Sequence, residues 1–348
     1  MSAQTGTGYV LYAPQAGDNA PAISALLAAG NTVKLIPGQV YGVQSPVAVP
    51  DGTTLTSDFS AGVTGNDFGG VPFNGAILRA LPPFVGAGVI TFTASSATAG
   101  RRVAGLFLDC TPIRTDGGNH HGIYTNGPVY GVTIDEVTIL KPSGYGLFSD
   151  TSGGTGDSWR VYGLKVSACM GAAGILANMP DTWWIGCESS ENLTGDGWLV
   201  GGGGGNQRFI GCKGENNAGC GWNIQAAVND AMSFTDCGAQ INNLSGWFIH
   251  GGINNQVLQL ANCRSVGDAV LAGATDAGLK VSGAAQRVQV VNFVTRKADN
   301  NLSPAYGVNY ISASFELNCV GCYFEGVTAA THDDASNTHA LVNANPMV

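Results

Sequence analysis

Charge is scarce in this chain: of 348 residues only 24 are acidic and 15 basic, 11% in all. The net charge of -9 argues against nucleic acid or an anionic membrane surface as partner. No apolar run approaches the roughly 18 residues that a membrane-spanning helix needs, so membrane insertion is not expected. The opening Met1-Ser2-Ala3-Gln4-Thr5-Gly6-Thr7-Gly8 lacks the basic and apolar regions of a signal peptide, which makes export by the ordinary secretory route unexpected. Metal-site spacing is also missing. Cys319-Val320-Gly321-Cys322 is half of a zinc motif with no second pair to complete it, and neither a metal nor another cofactor is expected.

Glycine, by contrast, is abundant at 52 residues, and it recurs. Ile185-Gly186-Cys187-Glu188-Ser189, Ile210-Gly211-Cys212-Lys213-Gly214 and Thr235-Asp236-Cys237-Gly238-Ala239 repeat one phrase, with markers at 186, 211 and 236, 25 apart. A fixed period of this size marks one structural unit stacked on its neighbours. Extended both ways, the markers become Gly105, Gly131, Gly163, Gly186, Gly211, Asp236, Asn262, Asn292 and Gly321. The residue after each marker and the one two further on are mostly small or apolar, which is strand alternation with those positions facing inward. A second ladder, Gly122, Gly146, Gly174, Gly197, Gly221, Gly246, Gly278 and Gly307, precedes Ile123, Leu147, Ile175, Trp198, Trp222, Trp247, Leu279 and Val308. With a further apolar run before each marker, the pattern gives about three short strands per coil. The fold expected is an all-β, right-handed parallel β-helix of about nine regular coils with a short N-terminal capping helix.

Five of the nine cysteines (Cys187, Cys212, Cys237, Cys263, Cys322) share one inward column with Leu, Val and Phe in other coils, so they read as buried thiols acting as small hydrophobes. The Trp198, Trp222, Trp247 column likewise aligns with aliphatics and reads as core. Along the chain, residues 1–17 form a lead or attachment segment and 18–102 a cap with irregular first coils. Residues 103–326 are the regular helix, and 327–348 an aperiodic tail. In the cap, Asp18 offers an N-cap to a helix through Ala22, Ile23, Leu26 and Leu27 that stops at Gly30, and its apolar face would lid the open solenoid end.

Asp18, Ala22-Ile23, Leu26-Leu27, Val33-Lys34-Leu35-Ile36-Pro37 and Tyr41 together resemble the opening module of the pectate-lyase-like, right-handed β-helix superfamily, which includes bacteriophage tailspikes and tail fibres and many polysaccharide-cleaving enzymes. The resemblance implies a virion component of the phage tail, attached to other tail proteins. It further implies a homotrimer that binds host surface polysaccharide. The module precedes active and inactive members alike, so it does not decide between attachment, depolymerase activity and a purely structural tail or baseplate role.

The chemistry is sought on outward positions. Lys165, Glu188 and Lys213 fall one above another on one face, with Glu215 beyond Gly214. Glu188 and Glu215 would lie on the order of 8 Å apart, the separation of an inverting glycosidase pair. The plainer interpretation of the same residues is an exposed ion-pair ladder. Glu191 and Asp196 add carboxylates that also suit a turn. His120 and His121 with Asp116 could do acid/base work, although neighbours in an extended segment point opposite ways. Trp183 and Trp159 are candidate sugar-stacking residues, Trp183 because it aligns with the polar Arg208 and Ser233. The clustered aspartates and Arg-x-Lys run of pectate lyases and polygalacturonases are not recognisable.

Overall fold

In a computed structural model the chain is an all-β parallel solenoid of about 9 turns. It is described over residues 3–6, 8–58, 75–93, 100–150, 156–201, 205–225, 231–250, 257–270, 276–282, 287–297, 306–311, 316–327, 329–333 and 340–345. It divides into two units, residues 1–171 and 172–348.

The first unit opens with a hairpin in which Ala3–Gly6 pairs antiparallel with Tyr9–Tyr12. Tyr9–Tyr12 then pairs in parallel with Thr32–Leu35. Within the segment expected to be a lead or attachment segment, Tyr9–Tyr12 thus covers the backbone edge of strand Thr32–Leu35. Helix Ala20–Ala28 buries Ala20, Ile23 and Leu27 and packs against Thr32–Leu35 and Val47–Ala48. Its N-cap is Asn19, one residue later than expected. The Asp18 carboxylate instead accepts from the Ala20 and Gln44 backbone N–H groups, both at 3.0 Å, and from the Ser45 hydroxyl at 2.8 Å. One half-buried acid group thus ties the helix start to the end of strand Val40–Val43. Asn19 completes the junction, accepting from Tyr12 Oη at 3.1 Å and donating to Gly42 O at 3.0 Å.

Later in this unit Phe107 pairs with Thr138, and Thr138 with Lys165. This register corrects one marker. Gly105 (φ 64°) is followed by Glu136 (φ 49°) and Gly163 (φ 56°), while Gly131 belongs to a different turn. Both Gly131 and Glu136 take positive φ, and the glutamate, being neither Gly, Asn nor Asp, does not announce the turn in the sequence.

In the second unit each coil has three strands, as in Trp183–Ile185, Glu188–Ser190 and Asp196–Val200, followed by Arg208–Ile210, Lys213–Glu215 and Trp222–Gln225. Equivalent strands pair in parallel and in register. The sharp corner between the first two strands requires a left-handed residue: Gly186, Gly211, Asp236, Asn262, Asn292 and Gly321 have φ between 53° and 68°. These are the residue types that adopt this region at least cost. Each corner N–H bonds the next coil, Gly186 to Ile210 O and Gly211 to Thr235 O at 2.9 Å.

The glycines before the third strand have a different cause. A Cβ on Gly174 would lie 2.0 Å from Ser189 Oγ, and one on Gly278 would lie 2.2 Å from Thr295 Oγ1. No side chain fits where the third strand closes on the second.

The core consists of stacked columns. Trp198, Trp222 and Trp247 are fully buried and parallel, with centroids 4.7 and 4.9 Å apart, and their Nε1–H groups donate to the carbonyls of Lys213, Gly238 and Arg264. All nine cysteines are buried, and none forms a disulfide. A polar column runs beside them, in which Asn192 donates to Asn217, Asn217 to Asn242 and Asn242 to Asp268, at 2.7, 2.8 and 2.7 Å. The tail expected to be aperiodic carries on the ladders. Ala329–Asp333 pairs with Tyr306–Tyr310, and Ala340–Asn345 pairs with Glu316–Glu325.

Candidate functional site

The outer face of the second unit's first two strands brings together Trp183, Glu188, Lys213 and Glu215 of the residues singled out from the sequence. Trp183 stands in register with Arg208, and the Arg208 guanidinium lies over its ring, 5.1 Å from the centroid. The indole is half-exposed and Arg208 exposed. Across the Gly186 corner, Glu188 is in register with Lys213, and Ser190 with Glu215. Glu188 and Glu215 are therefore diagonal neighbours, one coil and two residues apart, which is about 8 Å along the sheet. Lys213 bonds the Glu215 carboxylate directly. That contact joins Lys213 to Glu215 and places a cation at one member of the carboxylate pair. Farther along the same columns come Ser233, Gln259 and Gln289, and Gly238 and Arg264. The face thus mixes charged and polar groups of both signs with exposed apolar Ile210, Val291 and Val320, and it carries accessible aromatic rings at Trp183 and Tyr323. It suits hydrogen bonding and stacking more readily than proton transfer.

The histidines of the first unit diverge, as alternation requires. His120 Nδ1 is 2.7 Å from Gly86 O and its Nε2 3.1 Å from the Asp116 carboxylate, while the ring stands edge-on to Phe84. His121 Nδ1 accepts from Tyr145 N–H at 2.9 Å, and its ring stacks on Phe148 at 4.6 Å and on Tyr124 at 5.4 Å. Burial lowers the pKa of His121 to about 4, with the neighbouring His120 adding in the same sense, so it is neutral at physiological pH. Asp116 and His120 are brought together; His121 is committed to packing. Trp159 is not presented to solvent. Its ring is 1% exposed, edge-on to Phe92, and donates to Val129 O at 2.8 Å, which makes it a core residue of the first unit. Its misplacement has a simple origin: it follows a long loop and has no aligned tryptophan to reveal an inward register.

A second cluster on the outer face of the third strands was not singled out. In register along that face come Leu199, Asn223, Phe248, Lys280 and Asn309. Asp196 Oδ1 accepts from Cys220 N–H at 2.6 Å and its Oδ2 from Asn223 Nδ2 at 2.7 Å. Asn223 Oδ1 is 2.8 Å from His250 Nε2. The His250 ring stacks on Phe248 with centroids 4.3 Å apart, and Lys280 Nζ lies 5.3 Å from the Phe248 centroid and 3.6 Å from Asp276 Oδ1. Burial raises the pKa of Asp196 and lowers that of His250. The available signal was the constant offset from the tryptophan column: each residue in that row directly follows an inward Trp, Leu or Val. Among the described residues no group of three His, Cys, Asp or Glu is placed to hold a metal ion.

No family model matches the sequence, and no curated protein matches it. Solved structures do. The A-module of the Azotobacter vinelandii mannuronan C-5 epimerase AlgE4 superposes with a TM-score of 0.62 at 14% identity, covering 95% of this chain and 97% of the module. The gp42 tailspike of Acinetobacter phage vb_AbaP_AS12 gives 0.60 at 12% identity, over 98% of this chain and 63% of the tailspike. The enzymatically active domain of tailspike protein 2 of bacteriophage CBA120 gives 0.60 at 15% identity, over 90% of this chain and 50% of that domain. The chain therefore spans about half to two-thirds of the tailspike chains it resembles. At these identities the likeness establishes architecture alone, and the chain has a parallel β-helix fold like that of the epimerase module and the tailspikes.

Proposed function

We propose that the chain is a tailspike-like component of a phage tail that attaches the virion to host surface polysaccharide. The observation that carries this reading is the outer face around Trp183: a half-exposed indole held by Arg208, flanked by Glu188, Lys213 and Glu215 on an in-register sheet. Flat aromatic surface beside fixed polar groups is what a sugar's apolar C–H face and hydroxyls require. The tailspike and mannuronan-epimerase neighbours support the same substrate class. Homotrimer formation and attachment to other tail proteins belong to the proposal as features of tailspikes. Depolymerase activity is the second reading, favoured by the diagonal placement of Glu188 and Glu215. The test is a panel of bacterial surface polysaccharides offered to the wild type, Trp183→Ala and Glu188→Gln, following binding, reducing ends and unsaturated products. Binding lost in Trp183→Ala with no product from any protein supports attachment. Product formed by the wild type and lost in Glu188→Gln with binding retained supports the depolymerase. Binding undiminished in Trp183→Ala removes the Trp183 face as the site.

A further inference from the structure

The hydrogen-bond directions in the cluster on the third strands are fixed from one end. Asp196, as carboxylate, only accepts, so the amide nitrogen of Asn223 must face it, as it does at 2.7 Å. The Asn223 oxygen then faces His250 Nε2 at 2.8 Å, so that nitrogen must carry the proton. The other ring nitrogen is left with a lone pair. Among the described residues Nδ1 of His250 has no partner, and the ring is half-exposed. The amide and the tautomer are both set by a buried carboxylate two side chains away.

Phe248 is stacked on the imidazole, and Lys280 is held over the Phe248 ring by Asp276. Asp196 and Asp276 outnumber the single Lys280 cation, which disfavours an anionic ligand. A sugar hydroxyl both donates and accepts, and a neighbouring pair of hydroxyls can give a proton to Nδ1 and receive one from an ammonium. We propose that Asp196, Asn223 and His250 form a relay that presents His250 Nδ1 as a hydroxyl acceptor in a subsite for neutral sugar residues, separate from the Trp183 face. The inference rests on the glycan-attachment reading and adds to it where along the molecule a second sugar unit is held, and by which atom. His250 is a binding residue here; Asn223 and Asp196 are positioning residues.

Two measurements test it. Nitrogen-15 spectra of the histidine rings, with His250 assigned by its loss in His250→Gln, should give the Nε2–H tautomer. Asp196→Asn lets the relay reverse and should move His250 to the Nδ1–H tautomer, a change that a merely structural aspartate would not produce. An Nδ1–H ring in the wild type overturns the relay. On a glycan that the wild type binds from the polysaccharide panel, His250→Gln and Asp196→Asn should each weaken affinity about tenfold, the loss of one hydrogen bond, in proteins whose circular dichroism matches the wild type. Wild-type affinity in both variants overturns the subsite while leaving glycan attachment standing. A wild type that binds no glycan overturns the attachment reading and the subsite together.

Discussion

Asp268 ends the asparagine column, and its burial makes a quantitative prediction about pH. Each Asn in the column accepts from the coil before it and donates to the coil after it, so the last member must accept without donating onward. Asp268 does this, receiving Asn242 N–H at 2.9 Å, Asn242 Nδ2 at 2.7 Å and Ser265 Oγ at 2.5 Å. Those bonds favour the carboxylate, yet burial outweighs them and raises the pKa from 3.8 to about 6. The folded state therefore binds this proton more tightly than the unfolded state, and stability falls as pH rises between the two values. A shift of about 2 units corresponds to about 3 kcal/mol, present in full below about pH 4 and lost above about pH 6. The sign is opposite to that of a salt-bridged aspartate. Denaturant unfolding at pH 4, 5, 6 and 7 should show this decline, and Asp268→Asn, whose amide can donate to a rotated Ser265 hydroxyl, should flatten it. Asp196, raised in the same direction, contributes a residual slope in both proteins. A wild type whose stability rises from pH 4 to 7, or an Asp268→Asn variant with the wild-type slope, would refute the reasoning.

Asn217→Ala removes the middle of the same column and leaves the Asn192 backbone N–H without its acceptor, while Asn242 Oδ1 keeps the backbone N–H of residue 217, so it should cost about 1–3 kcal/mol by denaturant titration. Gly211 sits at φ 62° with nothing within 4 Å of an added Cβ, so Gly211→Asn should be nearly neutral while Gly211→Val loses about 1–2 kcal/mol. Gly174→Ala should cost more than either, because its Cβ would meet Ser189 Oγ at 2.0 Å; melting midpoints rank the three. Native protein should leave an aromatic disulfide reagent unreacted and release nine equivalents only on unfolding, since every cysteine is buried.

The solenoid was legible because its two recurring residues have stereochemical causes. The left-handed corner admits Gly, Asn and Asp, and the close approach of the third strand admits only Gly, so both leave a trace at every coil. The trace failed where the corner is Glu136, whose side chain gives no hint of positive φ. It failed again at Ala3–Gly6, Tyr9–Tyr12, Ala329–Asp333 and Ala340–Asn345, which pair by backbone bonds that carry little side-chain pattern. For the candidate site, register alone put Trp183, Glu188, Lys213 and Glu215 on one outer face. The burial of Trp159 depended on Phe92 and Val129, far away in sequence, and could not be seen from periodicity. The Asp196–Asn223–His250 relay was hidden because its members occupy different strand positions in three successive coils, joined by side-chain bonds and by no repeat.

Adsorption of the labelled protein to cells of a candidate host, before and after periodate cleavage of their surface glycans, tests the attachment claim most directly. The account predicts saturable adsorption that periodate abolishes and purified surface polysaccharide competes away, with Trp183→Ala defective throughout. Adsorption that survives periodate and ignores the polysaccharide would contradict it.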